Sequence, residues 1–126
     1  MAKLPVIYAE FTRDGGRSAA EQILDGHPHT TAIIALNDAM AIGVLSTLRS
    51  RGIGVPDQIS VVGFDDVSVP ADLAPGLTTV RLPMTDMGRN ALTMALKPAV
   101  RPRRRSTGHQ LVVRDSTGPA PSRGAA

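Results

Sequence analysis

Three side chains with ligand-binding chemistry stand at the ends of apolar stretches of the sequence. Phe11 ends the stretch LPVIYAEF, Asn37 follows TAIIAL, and Asp65 follows ISVVGF. Carboxylate and amide groups exchange hydrogen bonds with paired hydroxyls, and an aromatic ring packs on the C–H face of a sugar. If the stretches are parallel strands, the three groups reach one edge of the sheet, which is where open α/β sheets bind ligands. The pattern therefore suits a sugar or a similar polyol.

Each of these residues also has a purely structural interpretation. Asn37 and Asp38 are good helix N-caps, because their side-chain oxygens accept hydrogen bonds from free backbone N–H groups. Asp65 and Asp66 are residue types that form turns. Phe11 is of a type that usually packs in a core. The spacing alone leaves both interpretations open for each residue.

The elements that must position these residues follow from the hydrophobic pattern. Apolar runs of strand length alternate with segments whose apolar residues recur at helical spacing, such as Ala20 and Leu24 before a stop at Gly26. This alternation predicts an α/β fold, with a parallel sheet flanked by helices on both faces. The predicted strands are residues 4–11, 31–36, 59–64, 77–82 and 110–113, and a turn is predicted at 12–16. Three helices are predicted: one after that turn, one after Asn37 and one after Leu82.

The composition limits the class of protein. With 126 residues the chain is one domain or part of one, and its core must be aliphatic, because aromatic residues make up only 2%. Cysteine is absent, which excludes disulfides, zinc–thiolate sites and cysteine nucleophiles. No stretch approaches the roughly 20 apolar residues that cross a bilayer, and the start lacks a signal-peptide pattern. We therefore expect a soluble, cytoplasmic protein with no membrane partner.

Other polar groups make weaker candidates. The basic run at 101–105 (RPRRR) could bind phosphates, but it lacks aromatic partners, so a solvated loop is favoured. His27 and His29 have no third ligand at a useful spacing, so no metal site is expected. Asp38 together with the Asp-Asp pair that begins at Asp65 could suggest acid–base catalysis, but no nucleophile accompanies them. We expect neither an enzyme nor a cofactor.

A longer stretch carries a family resemblance. It begins at Thr31 and reads TAIIALNDAMAIGVLSTLRSRGIGVPDQISVVGFDDVSVPADLAPGLTTV, which resembles the signature region of LacI/GalR transcriptional regulators. The pattern of that family is an apolar strand, Asn-Asp, a helix with Ala-x-Gly, Gly-x-x-Val-Pro, a strand ending Val-Gly-Phe-Asp-Asp, and Pro-x-Leu-Thr-Thr-Val. Every part is present in order. The segment around Phe11, the helix around Gly88 and the closing LVVRDS extend the resemblance to residues 5–117.

The resemblance implies a bilobed fold of the periplasmic-binding-protein type (type I), incomplete here, with a small effector in the cleft between the lobes. Residues 1–114 would form a partial effector-binding domain, mostly of the lobe farther from the DNA. Within it, residues 83–97 would be a helix of the lobe nearer the DNA. Residues 115–126 are rich in Pro, Gly, Ser and Ala and are predicted to be a disordered tail.

The same resemblance assigns roles to the three strand-end residues. Carried over by motif, Asn37 and Asp65 hydrogen-bond the effector, and Phe11 stacks on it. Two departures matter. The family's effector-binding arginine is expected upstream of Met1, and Leu82 stands where many relatives carry a polar glutamine. The second departure implies a less polar pocket wall or a different effector.

The function implied by the resemblance is the effector-binding domain of a LacI-type regulator, most simply a repressor, that senses a sugar or a derivative. No helix-turn-helix is found in the sequence, so operator DNA would be bound by a headpiece expected upstream of Met1. A homodimer is implied, with Ile42, Val69 and Leu73 at its interface, although core or isolated surface positions explain these residues equally well. The alternatives are a sugar-binding protein of a transporter and an enzyme of the same architecture.

An incomplete domain has a physical consequence. A sheet without all its strands leaves an exposed edge and an uncovered apolar face. We therefore expect weak stability and a tendency to self-associate.

Overall fold

The computed structural model describes residues 4–66, 73–97 and 104–121. Within these ranges the chain forms three helices and four strands of three residues each. In chain order these are α1 (Arg13–Gly26), β1 (Ala32–Ile34), α2 (Asp38–Ser50), β2 (Ser60–Val62), β3 (Thr79–Arg81), α3 (Met84–Ala95) and β4 (Gln110–Val112).

The strands line up from β1 to β4. β1 and β2 are parallel, with Ile33 opposite Val61. β3 is attached to the β2 segment by two isolated parallel bridges, Val62 to Thr78 and Asp65 to Arg81. β4 pairs with β3 in the antiparallel direction. The predicted parallel α/β arrangement is therefore confirmed for the first three strands, while β4 runs the other way.

The core lies between the helix pair α1–α2 and the β1–β2 sheet. Leu48 of α2, Val61 of β2 and Leu77 before β3 are almost completely buried. As the composition requires, the core is aliphatic. Its buried members are Ala20, Ile33, Ala35, Met40, Ala41, Val44, Leu45, Leu48, Ile59, Val61 and Leu77.

Helices α1 and α2 contact each other backbone to backbone. A Cβ placed on Gly16 would collide with the carbonyl oxygen of Met40, and one placed on Gly43 would collide with the carbonyl oxygen of Arg13. Glycine is the only residue type that fits at such a close approach. The crossing therefore depends on these two positions, one on each helix.

The predicted first strand is wrong. Residues 4–11 are not in a strand, and Tyr8 is 91% exposed. The apolar run has no strand partner among the described residues; only Ile7 and Ala9 are partly buried, and Ala9 packs against the core. The turn predicted at 12–16 is also wrong, because Thr12 is instead the N-cap of α1 and its Oγ1 accepts a hydrogen bond from the Gly15 N–H at 3.0 Å.

Only one face of the sheet is covered in the described parts of the chain. Along β1 the side chains alternate, so that Ile33 is buried while Ile34 is 73% exposed. Helix α3 has no fully buried residue, and its predicted apolar positions Met87 and Met94 are only half-buried. The prediction of helices on both faces therefore does not hold here, because no helix packs over Ile34.

The chain after β4 returns to the sheet. Ser116, which we predicted to lie in a disordered tail, is fully buried. Its Oγ donates to the Val61 carbonyl at 2.6 Å and accepts from the Thr78 N–H at 2.8 Å. Its backbone carbonyl accepts from the Val61 N–H at 2.8 Å. Ser116 thus joins β2 to the start of β3, and the packed part of the chain extends at least this far.

Candidate functional site

Asn37 and Asp65 lie at the same edge of the sheet. Each follows one of the two parallel strands, β1 and β2, beyond its carboxyl end. A backbone hydrogen bond of 2.9 Å runs from the Asp38 N–H to the Phe64 carbonyl, and so joins the residues next to them. The sequence prediction that these two side chains share an edge is consistent with this geometry.

Asn37 is the N-cap of α2. Its Oδ1 accepts a hydrogen bond from the Met40 N–H at 2.7 Å, which is the capping role considered for it. Its Nδ2 donates to the Phe11 carbonyl at 3.5 Å, a long contact. The side chain is only 8% exposed. The carbonyl of the amide is therefore occupied, and what it can offer a ligand is the remaining N–H of Nδ2.

Phe11 is brought to the same place by its backbone, although no strand carries it. Its carbonyl contacts Asn37, and it precedes Thr12, the cap of α1. Its side chain is 62% exposed, so the core interpretation does not apply. An exposed ring on a residue whose backbone carbonyl contacts a buried amide is a candidate for an apolar platform at the edge of a site.

Asp65 and Asp66 form a left-handed turn. Their φ angles are 102° and 50°, values that residues other than glycine rarely adopt. The Asp65 N–H donates to the Val80 carbonyl at 3.0 Å, which ties the turn to β3. Within the described part of the chain, the Asp65 carboxylate makes no hydrogen bond or ion pair. It is therefore available to accept hydrogen bonds from a ligand.

The neighbouring Asp66 carboxylate is held by two arginines. Arg81 Nε lies 2.6 Å from its Oδ2, and Arg114 Nη2 lies 2.8 Å from its Oδ1. Arg114 also donates to the Leu77 carbonyl at 2.7 Å. We call Asp66, Arg81 and Arg114 the Asp66 clamp. Burial of the carboxylate raises the pKa of Asp66, but the hydrogen bonds from Arg114 and Arg81 outweigh that effect and hold its pKa below the ordinary value.

Sequence reasoning missed the Asp66 clamp. The sequence presents Asp66 as a turn residue, a member of the Asp-Asp motif and a weak acid–base candidate, and Arg114 as part of the closing motif. A signal did exist, because Asp-Asp after a strand is an unfavourable pair of like charges that calls for nearby cations. Which cations those were depends on the pairing of β3 with β4, which the sequence does not specify.

Asp38 does not join the other carboxylates in a catalytic arrangement. It is fully buried in the first turn of α2, and its Oδ1 accepts a hydrogen bond from Thr79 Oγ1 at 2.6 Å. Gly63 lies against it and leaves no room for a Cβ. The contacts of Asp38 with β3 and those of Asp66 with two arginines give the two carboxylates separate structural roles.

The predicted dimer residues fall in different surroundings. Leu73 is partly buried against the core, and Ile42 is half-buried on α2. Val69 lies outside the described residues. The core interpretation therefore gains support for Leu73.

A surface groove lies away from the strand ends. It has a volume of about 420 Å³ and is lined by the end of α3 and part of the predicted basic loop. None of the strand-end residues lines it. Its lining residues are Thr93, Met94, Lys97, Arg104 and Arg105.

The described ranges contain no cluster of three or more side chains of the metal-ligating types His, Cys, Asp and Glu. His27 and His29 are both exposed after the end of α1. Among those same ranges, no helix has the length and apolar character needed to span a membrane.

An α/β sheet with polar groups at the carboxyl ends of its parallel strands is the arrangement of a periplasmic binding protein-like domain. The profile of that domain family matches residues 2–117. The chain therefore belongs to the periplasmic binding protein-like domain family.

The relatives identify the branch of the family and confirm the LacI/GalR resemblance. The chain is 37% identical over 92 residues to the HTH-type transcriptional repressor PurR of Vibrio atlanticus. The aligned region covers 73% of this chain and 28% of that protein. It is 38% identical over 91 residues to the HTH-type transcriptional regulator GalR of Salmonella typhimurium, covering 72% and 27%. The chain thus spans about a quarter of the length of these curated relatives.

A solved structure agrees with the sequence matches. It is a LacI family transcriptional regulator from Arthrobacter in complex with lactose, with a TM-score of 0.76 and 38% identity. The match covers 89% of this chain and 44% of that chain. The described fold is therefore that of part of a LacI-type domain.

Proposed function

We propose that this chain is the effector-binding part of a LacI-type transcriptional regulator, and that its ligand is a sugar or a related polyol. The observation that carries the proposal is the shared edge at which Asn37 and Asp65 meet, joined through the Asp38–Phe64 hydrogen bond. The regulator names of the relatives favour this function over that of a transporter's sugar-binding protein.

The chemistry of the edge suits a polyhydroxylated molecule. The Asp65 carboxylate accepts hydrogen bonds from two hydroxyls, and the free N–H of Asn37 donates to a third oxygen. The exposed ring of Phe11 covers an apolar face of the ligand. These groups bind and orient; no nucleophile is placed among them, and we assign the chain no catalytic activity.

In the intact protein, the effector acts by binding one arrangement of the lobes more tightly than the other, since coupling requires differential affinity for two states. The shift changes the affinity of the DNA-binding headpiece for its operator. We assign α3 to the lobe nearer the DNA. We assign Ile42 and Val69 to the homodimer surface, and leave Leu73 out of it because Leu73 packs against the core. We place the intact regulator in the cytoplasm.

The site is tested by calorimetric titration of the chain with lactose, the ligand of the Arthrobacter relative, followed by a panel of monosaccharides and disaccharides. Asp65→Ala removes a charged acceptor, and hydrogen bonds to charged groups contribute about 1.5–3 kcal/mol. We therefore expect a loss of affinity of roughly 10- to 100-fold for the best sugar.

The matched control is Asp57→Ala, which removes an exposed carboxylate from the turn before β2 and should leave the affinity unchanged. Full affinity in Asp65→Ala would show that the site lies elsewhere. Failure of every sugar to bind would overturn the proposal that this chain by itself holds a sugar site.

A further inference from the structure

We propose that Asp66 is a positioning residue for the ligand site: held by Arg81 and Arg114, it fixes the left-handed turn that presents the Asp65 carboxylate at the edge of the sheet. The inference rests on the proposed function for the role of Asp65 as a ligand-binding group. The geometry of the clamp itself does not depend on that function.

The first step is the conformation of the turn. Two consecutive non-glycine residues, Asp65 and Asp66, have positive φ angles. Such residues are costly, and they persist only where the surrounding contacts over-determine them. The direction of the Asp65 side chain therefore depends on the groups that hold the backbone of this turn in place.

The second step is to find those groups. At Asp65 the backbone N–H bonds to Val80, while its side chain makes no polar contact in the described part of the protein. At Asp66 both carboxylate oxygens are engaged, one by Arg81 and the other by Arg114. The backbone of the turn is thus bridged to β3 at Asp65, and its side-chain contacts are made by Asp66, the residue to which we assign no contact with the ligand.

The third step concerns the strength and reach of the clamp. The Asp66 side chain is only 9% exposed and Arg114 is 33% exposed, so the Arg114 ion pair is screened less than a surface pair. Arg81 is 51% exposed, so its ion pair with Asp66 is screened more strongly. Arg81 belongs to β3, whereas Arg114 follows β4 and also bonds the Leu77 carbonyl. One carboxylate therefore ties the end of β2 to both strands of the neighbouring antiparallel pair.

In this arrangement the two adjacent carboxylates have different roles, one structural and one in ligand binding. Asp66 is neutralised by the protein and sets the backbone, which leaves Asp65 unpaired and correctly placed for hydroxyl groups. If Asp66 positions the turn, breaking the Asp66 clamp should have a local effect at Asp65. A clamp that only stabilises the fold predicts a uniform effect on the whole domain.

The test is Asp66→Asn in the full chain, followed by amide hydrogen exchange and by the three-bond HN–Hα coupling measured by NMR. We expect the Asp65 amide to exchange at least tenfold faster and the couplings of residues 65 and 66 to move towards averaged values. The exchange of the Val62 amide, in the parallel β1–β2 pair, should rise only by the factor that the loss of overall stability accounts for, and so by less than that of Asp65.

Controls separate the clamp from a general loss of charge or stability. Asp86→Asn removes the exposed ion pair with Arg89 and should change nothing at Asp65. Asp66→Glu keeps the carboxylate and should recover part of the protection. Should Asp66→Asn fold poorly, Arg81→Lys is the milder variant, because it weakens one arm of the clamp and leaves Arg114 in place.

Unchanged exchange and coupling at Asp65 in Asp66→Asn would overturn the proposal, and so would an equal increase at Asp65 and Val62. Neither readout needs a ligand, so both decide the clamp even if no sugar binds. Where a sugar does bind, we expect Asp66→Asn to weaken its affinity about tenfold although Asp65 is intact; unchanged affinity would overturn the positioning role. If Asp65→Ala binds normally while Asp66→Asn loosens the turn, the proposed ligand site fails and the clamp stands.

Discussion

The hydroxyl of Ser116 offers a sharp test of how the sheet is held together. It lies in a fully buried position and links the Val61 carbonyl to the Thr78 N–H, beside the backbone hydrogen bond from the Gly63 N–H to the Thr78 carbonyl. Ser116→Ala removes one oxygen atom and keeps the backbone bonds of the residue. It leaves one buried acceptor and one buried donor without their partner.

The expected loss of stability follows from the Val61 carbonyl and the Thr78 N–H, which both lose a hydrogen-bond partner. A buried polar group that loses its partner costs about 1–3 kcal/mol, so the expected loss in unfolding free energy is roughly 2–6 kcal/mol. The total stability of a domain is about 5–15 kcal/mol. A single exchange of serine for alanine near the end of the described chain should therefore remove a large share of the stability.

The assay is urea denaturation followed by far-ultraviolet circular dichroism, with the midpoint and slope compared between variants. Ser46→Ala is the matched control, because Ser46 is exposed on α2, and its effect should stay within about 0.5 kcal/mol. A loss of less than about 0.5 kcal/mol in Ser116→Ala would refute the assignment of this hydroxyl as a buried link between strands.

Two further predictions concern the helix crossing and the Asp66 clamp. Gly43→Ala should destabilise the domain by about 1–3 kcal/mol despite the better helix propensity of alanine, because its Cβ collides with the Arg13 backbone. Gly26→Ala is the control, because the Cβ added there meets no other atom. Equal thermal stability of the two variants would contradict the close crossing of the helices. The pKa of Asp66 is lowered in the folded state, so its contribution to stability is present above the ordinary value of 3.8 and is lost as the pH falls through the folded pKa. The difference in unfolding free energy between the wild type and Asp66→Asn should therefore be constant near neutral pH and shrink as the pH falls below 3.8. A difference independent of pH would refute the ion pairs.

Much of the fold could be predicted because the local signals were consistent with one another. Helix α2 has its cap at Asn37 and an apolar face at helical spacing, and both features appear in the structure. The shared edge of Asn37 and Asp65 followed from the alternation of strands and helices, which forces parallel strands to end together. Local sequence carries this kind of information reliably.

Features that depend on distant partners could not be predicted. The stretch at 4–11 has the composition of a buried strand, but composition does not say whether another strand lies beside it. Ser116 sits in a segment whose Pro, Gly and Ser content indicates disorder, yet a single serine is buried there because two backbone groups 38 and 55 residues away need a partner. The clamp partner Arg114 is 48 residues from Asp66, beyond any local pattern.

The glycine crossing of α1 and α2 has a consequence for ligand selectivity. Gly16 abuts Met40, which is capped by Asn37, and Gly43 abuts Arg13, which follows the segment that carries Phe11. These two contacts fix the separation of the first turns of both helices, so we expect the α1–α2 side of the proposed ligand site to keep its width when a bulkier molecule is offered.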